Sequence, residues 1–390
     1  MKNFLWILLI ALLTMPIYAQ ADDELIAILL DHNNQSFILI NEDGSEEIFP
    51  LIRPQPDLNR WGNTPISNDT RYVGSCWRVT NNSFTNDYRF IVQELRTGEI
   101  IFEKDYTNLV SCTATSFNID STQIAISVID EMGWTLEVYD LNSGDLVHDL
   151  GMRQEISDHY FEITEGYFGN GVYFRIEVYY FDDETIVLGA SPFIAMGTPD
   201  SFPAFTWNLE DNSLVVAEHA GNNLGDNLFA TGETAFPILN ENYDAVYGAF
   251  WSHNEVRVFT AQSETTIYRN TEQSMSQTHF INSGEHVAIL IDALESRIEI
   301  LSRDGSRMTT DTIPTASSIQ IGNHGEAGII LWSDSIDDMY ITHLQMLQID
   351  GTLSDIWATE ASERRRSLEL VWTQPLPLDA SYPNFVAIED

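Results

Sequence analysis

Residues 116–151, SFNIDSTQIAISVIDEMGWTLEVYDLNSGDLVHDLG, alternate short β-type runs with turn formers, and that order returns along most of the chain. Asn118, Asp120 and Ser121 set up Ile124, Ala125, Ile126, Ser127, Val128 and Ile129, a run rich in β-branched residues that suits a buried, pleated strand. A second strand follows Gly133. Its period of two places Trp134, Leu136 and Val138 on one face and Thr135, Glu137 and Tyr139 on the other. Asn142, Ser143 and Gly144 tolerate tight-turn backbone angles, and residues 145–150 return as a third strand. Residues 112–117 leave room for a fourth.

The first copy of this unit, residues 24–49, starts one strand late. In the second, Val92, Gln93, Glu94, Leu95, Arg96, Thr97, Gly98, Glu99 and Ile100 match residues 138–146 position for position, a repeat of about 46 residues. Residues 160–180 are rich in aromatics and fix no register, with residues 185–188 the clear strand beyond them. Turn formers at 208–212, 240–242, 282–284 and 323–325 then precede strands at 213–217, 245–250, 287–290 and the last copy, which reaches the turn at Asp350 and Gly351. A four-stranded unit cannot bury both faces of its sheet alone, and stacking such units around an axis solves the problem. The chain is therefore expected to be all-β, a single β-propeller of about seven four-stranded blades, with six to eight possible, over residues 22–390. Residues 368–372, LELVW, are expected to supply the strand that the first copy lacks and to close the ring.

The copies resemble the WD-type and TolB-like propeller repeats, in which an aromatic-Ser-Pro-Asp-Gly turn precedes an Ile-Ala-Phe strand and an Asp-Leu-x-x-Gly turn follows the third strand. The resemblance rests on residues 117–121 with Ile124, Ala125 and Ile126, on residues 139–144, and on residues 39–45. The Trp-Asp ending, the Gly-His start and the turn Pro are absent. The resemblance implies a ring used as a binding platform and identifies no ligand, since propellers host enzymes and scaffolds alike.

Residues 4–13 are apolar and Ala19, Gln20 and Ala21 fit a small-x-small cleavage site, so residues 1–21 are expected to be a signal peptide and the mature chain to be secreted, periplasmic or on the cell surface. At roughly 15 apolar residues the segment is short for a membrane span of about 20, and no span is expected in the mature chain. Fifty-nine acids against 18 bases give a formal charge of −41, which argues against nucleic acid and anionic membranes as partners. The two cysteines, Cys76 and Cys112, are expected to pair in an oxidising compartment.

No catalytic or cofactor motif is present. The nine histidines lack metal-ligand spacing, and no Gly-x-Ser-x-Gly elbow occurs. Asp334, Asp337 and Asp338, and Asp182, Asp183 and Glu184, are calcium candidates that do not fit the Asp-x-Asp-x-Asp-Gly loop and read more simply as solvated acids. Arg364, Arg365 and Arg366 form a basic cluster that reads as an exposed loop, with docking of an acidic partner or pairing with the chain's own carboxylates as alternatives. The expected function is that of a monomeric, non-catalytic exported platform for a protein or surface ligand. The alternative is a propeller enzyme, a glycan hydrolase or lyase, with carboxylates at the central channel. The irregular stretch at 160–201 is where a local function would be expected.

Overall fold

The structure, a computed structural model, describes residues 25–374 apart from 56–57, 81–84, 131–132, 152–173, 182–184, 193–203, 218–232, 239–254, 261–263, 270–273, 293–295, 312 and 314–318. The signal-peptide segment, the acidic run at 182–184, the expected strand at 245–250 and most of the stretch at 160–201 lie outside the described residues.

Among the described residues, seven antiparallel sheets form, six of four strands and one of three. Sheet 1 contains β1 (Leu25–Asp31), β2 (Ser36–Asn41) and β3 (Glu46–Pro50), and sheet 2 contains β4 (Asn59–Trp61), β5 (Tyr72–Arg78), β6 (Asn86–Glu94) and β7 (Ile100–Leu109). Sheet 3 is β8 (Ser111–Phe117), β9 (Gln123–Asp130), β10 (Gly133–Asp140) and β11 (Leu146–Gly151). Sheet 4 is β12 (Phe174–Phe181), β13 (Thr185–Pro192), β14 (Ala204–Asn208) and β15 (Leu214–Ala217), and sheet 5 is β16 (Glu233–Ile238), β17 (Glu255–Thr260) and β18 (Glu264–Arg269). Sheet 6 is β19 (Ser274–Ile281), β20 (His286–Asp292), β21 (Arg297–Ser302) and β22 (Arg307–Thr309). Sheet 7 is β23 (Ile319–His324), β24 (Ala327–Ile336), β25 (Met339–Leu347) and β26 (Leu353–Ala358). The last strand, β27 (Leu368–Thr373), returns to the edge of sheet 1, where Asp31 pairs with Leu368, Leu30 with Glu369 and Ile28 with Trp372. The expected closing strand is in place.

Burial explains the run of apolar residues in β1. Ile28 and Leu30, with Phe37 and Leu39 of β2, pack against Val73, Trp77 and Ile91 of sheet 2. Ile26, Ala27 and Leu29, with Ile38 and Ile40, pack the other way against Ile329, Leu331 and Leu344 of sheet 7. A middle strand thus serves two cores, so both of its faces must be apolar, whereas the outermost β3 is largely exposed. Comparable cores join sheets 2 and 3, 5 and 6, and 6 and 7. The first strands of neighbouring sheets also touch: β8 packs on β12, β16 on β19, β19 on β23, and β23 on β27. The chain is a β-propeller repeat protein.

The matched turns of sheets 2 and 3 share one bonding pattern. Gly98 N donates to Glu94 O at 2.8 Å and Gly144 N to Asp140 O at 2.9 Å, and both glycines have φ above +70°. At Gly44 and Gly351 the requirement is double. Each has positive φ, and a Cβ would lie 2.5 Å from Ile356 O and 2.8 Å from Thr309 O respectively, so these turns press on the outer part of the preceding sheet.

β12 and β4 are among the strands that the sequence reading did not place, as are β14 and β16 to β19. β12 lies inside the aromatic run, where Arg175 and Glu177 do alternate with apolar residues before Tyr179, Tyr180 and Phe181 end the signal. β4 is three residues long and too short to show a period. Cys76 on β5 and Cys112 on β8 are joined, Cα to Cα 6.1 Å, as expected. Among the described residues no helix is long and apolar enough to cross a membrane.

Candidate functional site

The seam where β27 meets β1 brings together side chains from both ends of the chain. His32 follows β1, Glu369 stands on β27 and Arg60 on β4, the first strand of sheet 2. His32 Nε2 lies 2.8 Å from Glu369 Oε2, and Arg60 Nη2 lies 3.2 Å from His32 Nδ1 and 3.7 Å from Glu369 Oε2. A guanidinium can only donate, so Nδ1 accepts and the Nε2 hydrogen donates to the carboxylate. Arg60 Nη1 also donates to Thr64 Oγ1. The hydrogen bond from His32 holds Glu369 below the usual carboxylate range, with help from the Arg60 charge and against the opposing effect of burial.

Directly behind this triad, Asp31 is fully buried. Its Oδ2 accepts from Arg366 Nη2 at 2.6 Å and from Asn34 Nδ2 at 2.8 Å, while Oδ1 accepts the backbone N–H of Asn33 and Asn34. Burial pushes this carboxyl up, and the hydrogen bonds of Arg366 and Asn34 together pull it further down, for a net fall. Of the basic cluster, Arg366 is therefore committed to the chain's own carboxylate, and Ser367 N donates to Asn33 Oδ1 at 2.7 Å.

Asp31→Asn removes that charge while keeping most of the shape. Breaking a buried pair costs about 3–5 kcal/mol, and because Arg366 stays about a third exposed the expected loss at pH 7 is smaller, about 2 kcal/mol. A carboxyl whose folded pKa is lowered stabilises above its unfolded value and loses that contribution as pH falls through the folded value. The gap between parent and variant in urea unfolding should therefore hold above pH about 4 and close below it. A gap that does not change with pH would refute the assignment.

Amides finish the seam. Leu370 N on the inner edge of β27 donates to Gln320 Oε1 of β23 at 2.7 Å. Asn323 Nδ2 donates to Gln374 O at 3.0 Å, and Gly325 N to Gln374 Oε1 at 2.8 Å. Of the tryptophans, Trp77 and Trp207 are fully buried, and Trp61 and Trp372 stand on the first strands of sheets 2 and 1. The ring of Trp61 is covered by Arg78 at 5.1 Å, and its Nε1 donates to Ser111 Oγ at 3.1 Å.

The calcium candidates fall elsewhere. Asp334 stands near the end of β24, and Asp337 and Asp338 form the turn to β25, both with positive φ. Asp334 Oδ1 lies 3.7 Å from His343 Nε2, and His343 stacks on Trp332 with ring centroids 4.5 Å apart. Among the described residues no three His, Cys, Asp or Glu side chains are grouped to share a metal ion.

No family model matches the sequence, and no curated protein matches it. Solved structures do. A structure from a study of two prolyl endopeptidases aligns over 93% of this chain and 54% of its own at 11% identity, with a TM-score of 0.52. Acylaminoacyl peptidase in complex with Z-Gly-Gly-Phe-chloromethyl ketone aligns over 86% and 51% at 12% identity, with a TM-score of 0.51. The β-propeller domain of the Trilobed protease from Pyrococcus furiosus aligns over 86% and 95% at 12% identity, with a TM-score of 0.48. The chain spans about half the length of the two peptidases, and the likeness at such identity is one of fold.

Proposed function

We propose that the protein is an exported, non-catalytic binding platform that takes a protein or surface ligand on the face where the closing seam opens. The observation that carries this reading is the state of the seam carboxylates. Glu369 is 41% exposed but bonded to His32 and close to Arg60, and Asp31 beside it is sealed under Arg366. Acid-base hydrolysis of a glycan needs two carboxylates open to one substrate, and among the described residues of this triad and its buried neighbour a single one faces outward among polar donors. A rigid, internally bonded mouth suits recognition, because little side-chain freedom is lost on binding. The Cys76 to Cys112 bond supports an oxidising, extracytoplasmic location.

The test is a panel of immobilised glycans and peptides probed with the parent, Arg60→Ala and Glu369→Gln, with turnover followed in parallel. Binding without turnover is expected, weakened about tenfold by Arg60→Ala. Turnover of any panel member that disappears in Glu369→Gln would replace the platform by the enzyme.

A further inference from the structure

On the face of the ring opposite the His32, Arg60 and Glu369 triad, where the last two strands of each sheet are joined, sheets 6 and 7 leave a cleft of about 270 Å³. Its walls are Ile300 and Met308 of sheet 6 and Ile349 of sheet 7, and its polar lining is His286, Ser302, Ser306 and Asp350. Met308 is 46% exposed and Ile349 41%, an apolar surface that water meets directly. Beside the cleft the two sheets meet closely. Gly351 presses the turn of sheet 7 onto Thr309, and Gly351 N donates to Gln348 O at 2.9 Å.

The rim is acidic. Asp350 stands in the lining with Oδ1 accepting from Thr352 N at 2.9 Å and Thr352 Oγ1 at 2.7 Å. Asp304, in the turn between Ser302 and Ser306, accepts from Ser302 Oγ and from Ser306 N at 2.8 Å, and those bonds hold its carboxyl down to about 2. Glu285 lies next to His286 in the chain. Of the neighbouring arginines, Arg303 is buried, donating to Gly284 O at 2.9 Å and lying 3.8 Å from Glu285, and Arg307, between Ser306 and Met308, is paired with the buried Glu299. Among the described residues, Asp350 and Asp304 thus stand at the rim with no basic side chain in a salt bridge to either, over an apolar floor.

We propose that this cleft docks a lysine or arginine side chain from a basic segment of a partner protein. The volume falls below the roughly 300–1,000 Å³ of small-molecule sites and leaves room for a single side chain. Such a side chain lays its methylene stem on apolar surface and carries its charge outward, and the cleft offers the exposed Met308 and Ile349 to the stem and Asp350, with Asp304 in the adjoining turn, to the charge. A formal charge of −41 on the whole chain draws a basic partner in from a distance, so the cleft supplies register rather than attraction alone. The inference stands apart from the seam and does not depend on it.

Fluorescein-labelled hexalysine, followed by anisotropy at low salt, tests it. Met308→Ser and Asp350→Asn should each weaken binding about three- to fivefold. Asp140→Asn, at the equivalent turn of sheet 3, should leave it within about twofold. Hexalysine acetylated on every side chain should not bind. Equal losses from Asp140→Asn and Asp350→Asn with no loss from Met308→Ser would show diffuse charge attraction and overturn the proposal.

Discussion

A chain ended at Ser367 is expected to yield no soluble, cooperatively folded protein. The cut removes β27, and with it apolar side chains from two cores at once: Val371 and Trp372 between sheets 1 and 2, and Leu368 and Leu370 between sheets 7 and 1. All four are half-buried, so each contributes roughly 1–2 kcal/mol, and their sum of about 4–8 kcal/mol is comparable with the whole stability of a typical domain. The loss also bares the edge of β1, seven consecutive buried residues whose N–H and C=O groups would seek another strand. Leu370→Asp is the subtler version, keeping the strand but placing a charge against the core that contains Ile26, Ile38, Ile329 and Leu331. The measurements are soluble yield, size-exclusion profile and a thermal melt. A truncated chain that runs as a monomer and melts within a few degrees of the parent would show that the ring does not depend on its closing strand.

How much of this was readable in advance follows from the range over which each feature is determined. The unit at 116–151 writes its own strands and turns, because β9 and β10 meet through a short connection and the turn ending at Gly144 needs a residue that accepts positive φ. The closing strand was also legible, since the first copy visibly lacks a partner and LELVW is apolar in the right place. β4 was not, because three residues carry no period, and its one informative residue, Arg60, takes its role from a contact with His32 across 28 positions. The site was illegible for the same reason at larger scale. His32 and Glu369 are 337 positions apart, and only the pairing of Leu30 with Glu369 brings them together. No residue of the triad departs from ordinary composition, so the signal lay in the register of the seam rather than in a motif. The cleft between sheets 6 and 7 is similar: the turn at Asp350 was read as geometry, and its acidic rim became visible once Met308 and Ile349 stood beside it.

The second large effect is expected from the disulfide. Cys76 on β5 and Cys112 on β8 tie sheet 2 to sheet 3 across a sequence separation of 36, and both lie fully buried among Tyr88, Phe90, Val92, Phe117 and Ile124. In the chain-entropy model a bridge closing a loop of that size removes freedom from the unfolded chain equivalent to roughly 3–4 kcal/mol. The double variant Cys76→Ala with Cys112→Ala should lose that amount. For a chain of this size the unfolding entropy is roughly 0.8 kcal/mol/K at the midpoint, so the melting temperature should fall by about 4–5 °C where unfolding is two-state. The single variants should be at least as damaged, because each leaves one thiol in the core and gains nothing from the missing bridge. Intact-mass measurement after alkylation reports the bond directly: the protein should take up no alkyl group until it is unfolded in reductant, and then two. Alkylation of both thiols in unfolded, unreduced protein, or a double variant that melts with the parent, would remove the bridge from the account of stability and with it the main structural support for an oxidising location.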